Sequence, residues 1–154
     1  MRFQLYREQQ INSDIDTTWS FFSSPMNLSK ITPKNMGFKV ISDLSNKYIY
    51  EGMMIEYIVS PVLYIPLKWV TRIIQVEKHS SFTDIQEKGP YKYWKHFHEF
   101  VPNENGVIIR DTIDYELPFR LLGQITNNVF VRKKLENIFN YRYQILEKHF
   151  NQKK

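Results

Sequence analysis

The chain has 154 residues, enough for one domain over 1–154 with a core that needs no covalent staples. It contains no cysteine, which excludes disulfide scaffolds, cysteine nucleophiles and cysteine-ligated zinc. Apolar residues make up 42% and charged residues 24%, a globular balance; the net charge of +5 is uneven, with 13 basic and 14 acidic side chains in 1–118 against 8 and 2 in 119–154.

The first residues, Met1-Arg2-Phe3-Gln4-Leu5-Tyr6-Arg7-Glu8, lack the apolar stretch of a signal peptide. Residues 2–11 alternate as a strand does. Asn12-Ser13-Asp14 then starts a helix, with Ser13 or Asp14 as its cap, through Trp19, Phe21 and Phe22. Pro25 opens a second short helical turn holding Leu28 and Ile31, ended by Thr32-Pro33. From 37 to 117 the signal is strands near 37–43, 48–59, 64–77, 80–88, 91–101 and 106–117. Pro61, Lys88-Gly89-Pro90 and Pro102-Asn103-Glu104-Asn105-Gly106 mark the turns. After Pro118 a helix of roughly 121–151 carries Leu121, Ile125, Val129, Leu135, Phe139, Leu146 and Phe150 at helical spacing. Its length of about 45 Å can cross a whole sheet.

No apolar run approaches the ~18 residues of a membrane span. The longest candidate, Ile55 to Trp69, is broken by Glu56, Pro61, Pro66 and Lys68. A cytoplasmic protein without stable membrane insertion is expected. The element order gives an α+β fold: a seven-stranded curved antiparallel sheet, two short helices after strand 1, and a long C-terminal helix across the sheet.

This order, with the phrases Phe21-Phe22-Ser23-Ser24-Pro25-Met26-Asn27-Leu28 and Ile31-Thr32-Pro33, resembles the START-like helix-grip superfamily, also called SRPBCC. The resemblance covers essentially the whole chain. Further phrases are Ile65-Pro66-Leu67-Lys68-Trp69, Phe82-Thr83-Asp84-Ile85-Gln86, Gly89-Pro90-Tyr91, Trp94-Lys95-His96-Phe97-His98-Glu99-Phe100 and Ile138-Phe139-Asn140-Tyr141-Arg142. Together they look like a bacterial ligand-binding group within that superfamily. The resemblance implies a cavity for an apolar or amphipathic small molecule. Superfamily members include lipid carriers, hormone receptors, polyketide cyclases and chaperone-like regulators, so fold does not by itself give function.

Strand alternation predicts what faces inward. Lys95 and Glu99 favour solvent, which turns Trp94, His96, His98 and Phe100 to the interior. The matching faces are Phe82, Asp84 and Gln86; Val107, Ile109, Asp111, Ile113 and Tyr115; and Trp69, Thr71 and Ile73. The polar members Thr71, Asp84, Gln86, His96, His98 and Asp111 either satisfy one another as an internal network or hold the polar end of a ligand. His96-x-His98 with Asp84 or Asp111 is a weak metal signal on its own, and no metal or cofactor is expected. A His–Asp pair could move protons in a cofactor-free cyclase or dehydratase, though no nucleophile motif or phosphate loop accompanies it.

On the terminal helix Arg132 falls within about 20° of Ile125, near the apolar stripe. It either pairs with Glu136 one turn on or reaches into the cavity towards Asp84, Asp111 or a ligand carboxylate. The basic residues Arg132-Lys133-Lys134 and Lys153-Lys154 scatter around the helix and form no stripe, so no nucleic-acid partner is expected. Pro61–Pro66 and Pro118–Gly123 are candidate mouth segments.

The sequence thus predicts a hydrophobic ligand site drawing on Trp69, Thr71, Phe82, Asp84, Gln86, Trp94, His96, His98, Phe100, Asp111, Ile113, Tyr115, Arg132 and Phe139. The competing expectation is an enzyme using His96 or His98 as base and Asp84 or Asp111 as orienter. A third is an interaction domain whose cavity is filled by side chains.

Overall fold

The computed structural model describes residues 1–43, 48–60, 66–118 and 130–152. Strand β1 (Arg2–Ile11) is followed by α1 (Ile15–Phe22), which Asp14 caps by accepting the Thr17 backbone N–H at 2.8 Å. The apolar spacing then stops, and two short 3-10 turns follow, Pro25–Asn27 and Lys34–Met36. The second lies beyond Thr32-Pro33, where the sequence predicted only an ending.

Strands β2 (Lys39–Val40), β3 (Met54–Val59), β4 (Leu67–Glu77), β5 (Ser81–Lys88), β6 (Tyr93–Asn103) and β7 (Gly106–Glu116) complete a seven-stranded antiparallel sheet. Its order is β1-β7-β6-β5-β4-β3-β2. Two predicted strands are shorter than expected. β2 keeps only two residues, and β3 starts at Met54 because Tyr50 to Met53 form a turn, with Gly52 at φ 90°. Between β4 and β5 the register slips at Val70/Thr71 and at Ile73/Gln75, irregularities that sharpen local twist. At the β6–β7 hairpin Gly106 sits at φ 130°. A Cβ there would lie 2.2 Å from the Ile11 carbonyl oxygen, so only glycine lets β7 start beside the end of β1.

Helix α2 (Arg132–Leu146) runs on into a π-helical turn, Glu147–Asn151. The upstream part of the predicted long helix, with Leu121, Ile125 and Val129, lies outside the described residues, as do Pro61–Ile65, Phe119–Gly123 and Lys153-Lys154. The end of the helix is tied to β1. Gln9 Nε2 donates to the Tyr143 carbonyl at 3.0 Å and to Glu147 at 2.9 Å, and Asn151 Nδ2 donates to the Gln10 carbonyl at 2.8 Å.

Two apolar clusters form the core. One holds Trp69, Trp94, Ile113, Tyr115, Leu135 and Phe139; the other holds Trp19, Phe82, Phe100, Ile109, Val107 and Leu146. The boundary between them is polar on three neighbouring elements. β6 passes from Trp94 to Phe100 through His96 and His98, β7 from Ile113 to Ile109 through Asp111, and α2 from Phe139 to Leu146 through Arg142.

Candidate functional site

A cavity of about 440 Å³ lies between the inner faces of β3–β6, the turns after α1, and α2. That volume suits a small organic molecule. Its walls are mainly aromatic and aliphatic. Trp69 meets Trp94 edge-on at 5.2 Å and Tyr57 in a stack at 5.8 Å, and Tyr91 closes on Trp94 at 4.8 Å. Phe22, Leu28 and Ile31 face them from the α1 side, and Leu135 and Phe139 from α2.

The polar boundary forms one side of this space. Register places Asp84 opposite His96, and His98 opposite Asp111, so strand pairing alone gathers the four. His96 Nε2 is 2.9 Å from Asp111 Oδ1, and His98 Nε2 is 3.0 Å from Asp84 Oδ2. His98 Nδ1 also lies 3.0 Å from Asp111 Oδ1, but off the line of a hydrogen bond, so that contact is an ion pair. His96 Nδ1 is 3.9 Å from Asp84 Oδ2. The two imidazoles lie face to face but tilted by 33°, with ring centres 3.7 Å apart. Arg142 Nη2 reaches Asp111 Oδ2 at 3.1 Å.

The electrostatics follow from burial and partners. Burial pushes the His96 pKa down, and the neighbouring His98 pushes it further, outweighing the pull of Asp111 and Asp84. For His98 burial acts the same way, but Asp111 and Asp84 together outweigh it and raise the pKa. Asp111 resists ionisation through burial, yet Arg142 and the two imidazoles hold its carboxyl well below the usual range. Tyr57, also on the wall, is buried and its phenol is raised well above its ordinary value.

Of the predicted site residues, Trp69, Thr71, Phe82, Asp84, Trp94, His96, His98 and Phe139 line the cavity. Asp111 is buried behind the histidines. Ile113 and Tyr115 on β7 are fully buried core, and Phe100 packs against Trp19 of α1 at 5.3 Å. Gln86 instead braces the turn at Gly89-Pro90, where its side chain both donates to and accepts from the Tyr91 backbone. Arg132 is on the surface with its Nε 3.1 Å from Glu136, so its reach into the cavity does not occur.

The cation beside Asp111 is Arg142, which the sequence reading missed. The signal was there: position 142 falls on the same stripe as Leu135, Phe139 and Leu146, seven and three residues after the first two and four before the third. An arginine on a buried stripe needs a buried partner. The wall residues Phe22, Met36, Ile55 and Tyr57 were missed because each also reads as ordinary core.

Among the described residues no helix is long and apolar enough to cross a membrane. No family model and no curated protein matches the sequence. Solved structures do match. Ginseng major latex-like protein 151 from Panax ginseng is 15% identical at a TM-score of 0.71, covering 99% of each chain. Norcoclaurine synthase from Thalictrum flavum, solved with dopamine and hydroxybenzaldehyde, is 14% identical at 0.66, covering 99% of this chain and 90% of that one. A Staphylococcus aureus protein of unknown function is 12% identical at 0.68, covering 99% and 98%. Likeness at these identities establishes the helix-grip fold.

Proposed function

We propose that the protein binds a hydrophobic or amphipathic small molecule, of lipid, quinone or polyketide-like character, between the sheet and the C-terminal helix, as a carrier or receptor in the cytoplasm. The observation that carries this reading is the 440 Å³ cavity with aromatic and aliphatic walls and one polar side. Trp69, Phe82, Trp94 and Phe139 supply apolar contact; Thr71, Asp84, His96 and His98 orient the ligand's polar end. The test is native mass spectrometry of the purified protein, followed by denaturing mass spectrometry of what it releases. A discrete extra mass of an apolar compound is the expected result. An apo mass, together with no thermal shift from fatty acids, quinones or polyketides, overturns the reading.

One observation favours a second reading, a cofactor-free cyclase or dehydratase. His96 is buried, neutral and oriented by Asp111, which are the requirements of a general base. The norcoclaurine synthase likeness is compatible with catalysis in such a cavity. In that case His96→Gln abolishes turnover and leaves ligand affinity intact; in a carrier it changes affinity alone.

A further inference from the structure

We infer that Asp84, His96 and His98 form a binding site for a divalent first-row transition metal, with one coordination position open to the cavity. Their potential ligand atoms lie within 4.8 Å of one another. Two imidazoles and one carboxylate are a donor set for zinc, cobalt or iron(II). The sequence expectation of no metal weighed His96-x-His98 with Asp84 or Asp111 as a possible third ligand and found the signal weak. The structure adds three features that the dipeptide could not show.

First, the carboxylate is in place. Asp84 pairs directly across from His96 in the β5–β6 register, and its Oδ2 already lies 3.0 Å from His98 Nε2 and 3.9 Å from His96 Nδ1. A metal bound at about 2.0–2.2 Å holds neighbouring ligand atoms roughly 3.3–3.6 Å apart, so sub-ångström shifts suffice along these two contacts. The two rings, tilted by 33°, must fan apart for both to aim at one ion.

Second, there is an outer shell. Asp111 stands within 3.0 Å of the opposite nitrogen of each imidazole, His96 Nε2 and His98 Nδ1, and Arg142 fixes Asp111 in turn. A carboxylate behind a metal-bound histidine sets its tautomer and orientation. Here Asp111 does so through a hydrogen bond to His96, and stands beside His98 without the alignment of one.

Third, all three side chains line the cavity, so the ion is accessible to a small molecule lying there. The inference concerns the same cavity as the proposed function but does not require an organic ligand, and the two fail separately.

The experiment uses full-length protein stripped with EDTA and dialysed, then titrated with Co²⁺ alone and with Zn²⁺ alone. Expected are d–d absorption bands between about 500 and 650 nm, one ion per chain by calorimetry, and a Kd of micromolar or tighter. His96→Gln and His98→Gln should each weaken binding at least 100-fold while cooperative unfolding persists. Asp111→Asn, a positioning change, should weaken it by 10–100-fold. His79→Gln, on the surface pair with Asp16, should leave it unchanged. Absence of both the band and the heat at 0.1 mM metal overturns the inference, as does binding that survives His96→Gln and His98→Gln. Apolar ligands retained in EDTA without any metal binding would refute this site and leave the ligand reading standing; metal binding without any ligand would do the reverse.

Discussion

The sheet has two halves that the alternation of side chains does not distinguish. On β1 and β7 the inward residues are covered: Ile113, Tyr115 and Val107 are completely buried, and the end of α2 is bonded to β1 through Gln9 and Asn151. On β3 to β6 the same inward faces look onto space, and no residue of β1 or β7 lines the cavity. The difference is one of cover. The C-terminal part of α2 is tied down on one side, and the other side is spanned by α1 and the turns after it without being filled. A site arises where an apolar face loses its partner but keeps its burial.

The largest test of this contrast falls on the boundary. Asp111→Asn removes the anion that Arg142 and the histidines share. It should cost about 3–5 kcal/mol in denaturant unfolding, because it leaves buried positive charge uncompensated. A smaller loss from this variant would mean that water reaches Asp111. Next, Ile113→Ala on the covered half should cost about 3–4 kcal/mol, whereas Ile55→Ala on the cavity wall should cost about 2 kcal/mol, the low end for such truncations, since part of its surface already lacks a partner. Equal losses would erase the distinction between the halves.

The pH dependence is smaller and has two signs. In metal-free protein, imidazole titration by NMR should find His98 still protonated above the ordinary value near 6.5 and His96 deprotonated below it. The raised His98 pKa contributes stability fully below about pH 6.5, lost as pH rises through its folded value. The lowered His96 pKa acts oppositely: stability is lost as pH falls below about 6.5, where the unfolded chain takes the proton first. His98→Gln should therefore flatten the alkaline decline and soften the acid side, which keeps the part that burial of His96 causes. The smallest effect is Arg132→Ala. It should change stability by about 0.3–0.5 kcal/mol and ligand binding not at all, since it breaks only an exposed pair with Glu136.

Much of the fold was legible because strands announce themselves by period and turns by chemistry. The inward direction of Trp94, His96, His98 and Phe100 followed from Lys95 and Glu99, and all four are buried. What could not be read was which inward residues meet space. Phe100 and Trp94 share a strand and a face, yet one packs under Trp19 and the other lines the cavity. That depends on where α1 crosses, which no local pattern encodes. The choice of Arg132 over Arg142 failed for a different reason. Both arginines lie near the stripe through Leu135, Phe139 and Leu146, but Arg142 sits between two of its buried residues, whereas Arg132 precedes the first of them. β2 is short where Gly37, at φ 57°, breaks the backbone before it.

The pairing of β1 with β7 has a consequence in time. Gln4 and Asp114 bond across 110 positions, and Asn151 meets the Gln10 carbonyl across 141. β1 is therefore synthesised long before either of its neighbours, while β4 to β7 are joined by short connections. Loop closure over such separations is costly and comes late, so the central hairpins should acquire amide protection first and β1 last. During that interval the edge of β7 is open to strands of other chains. Refolding yield should fall as concentration rises, and fall further if residues 2–11 are deleted.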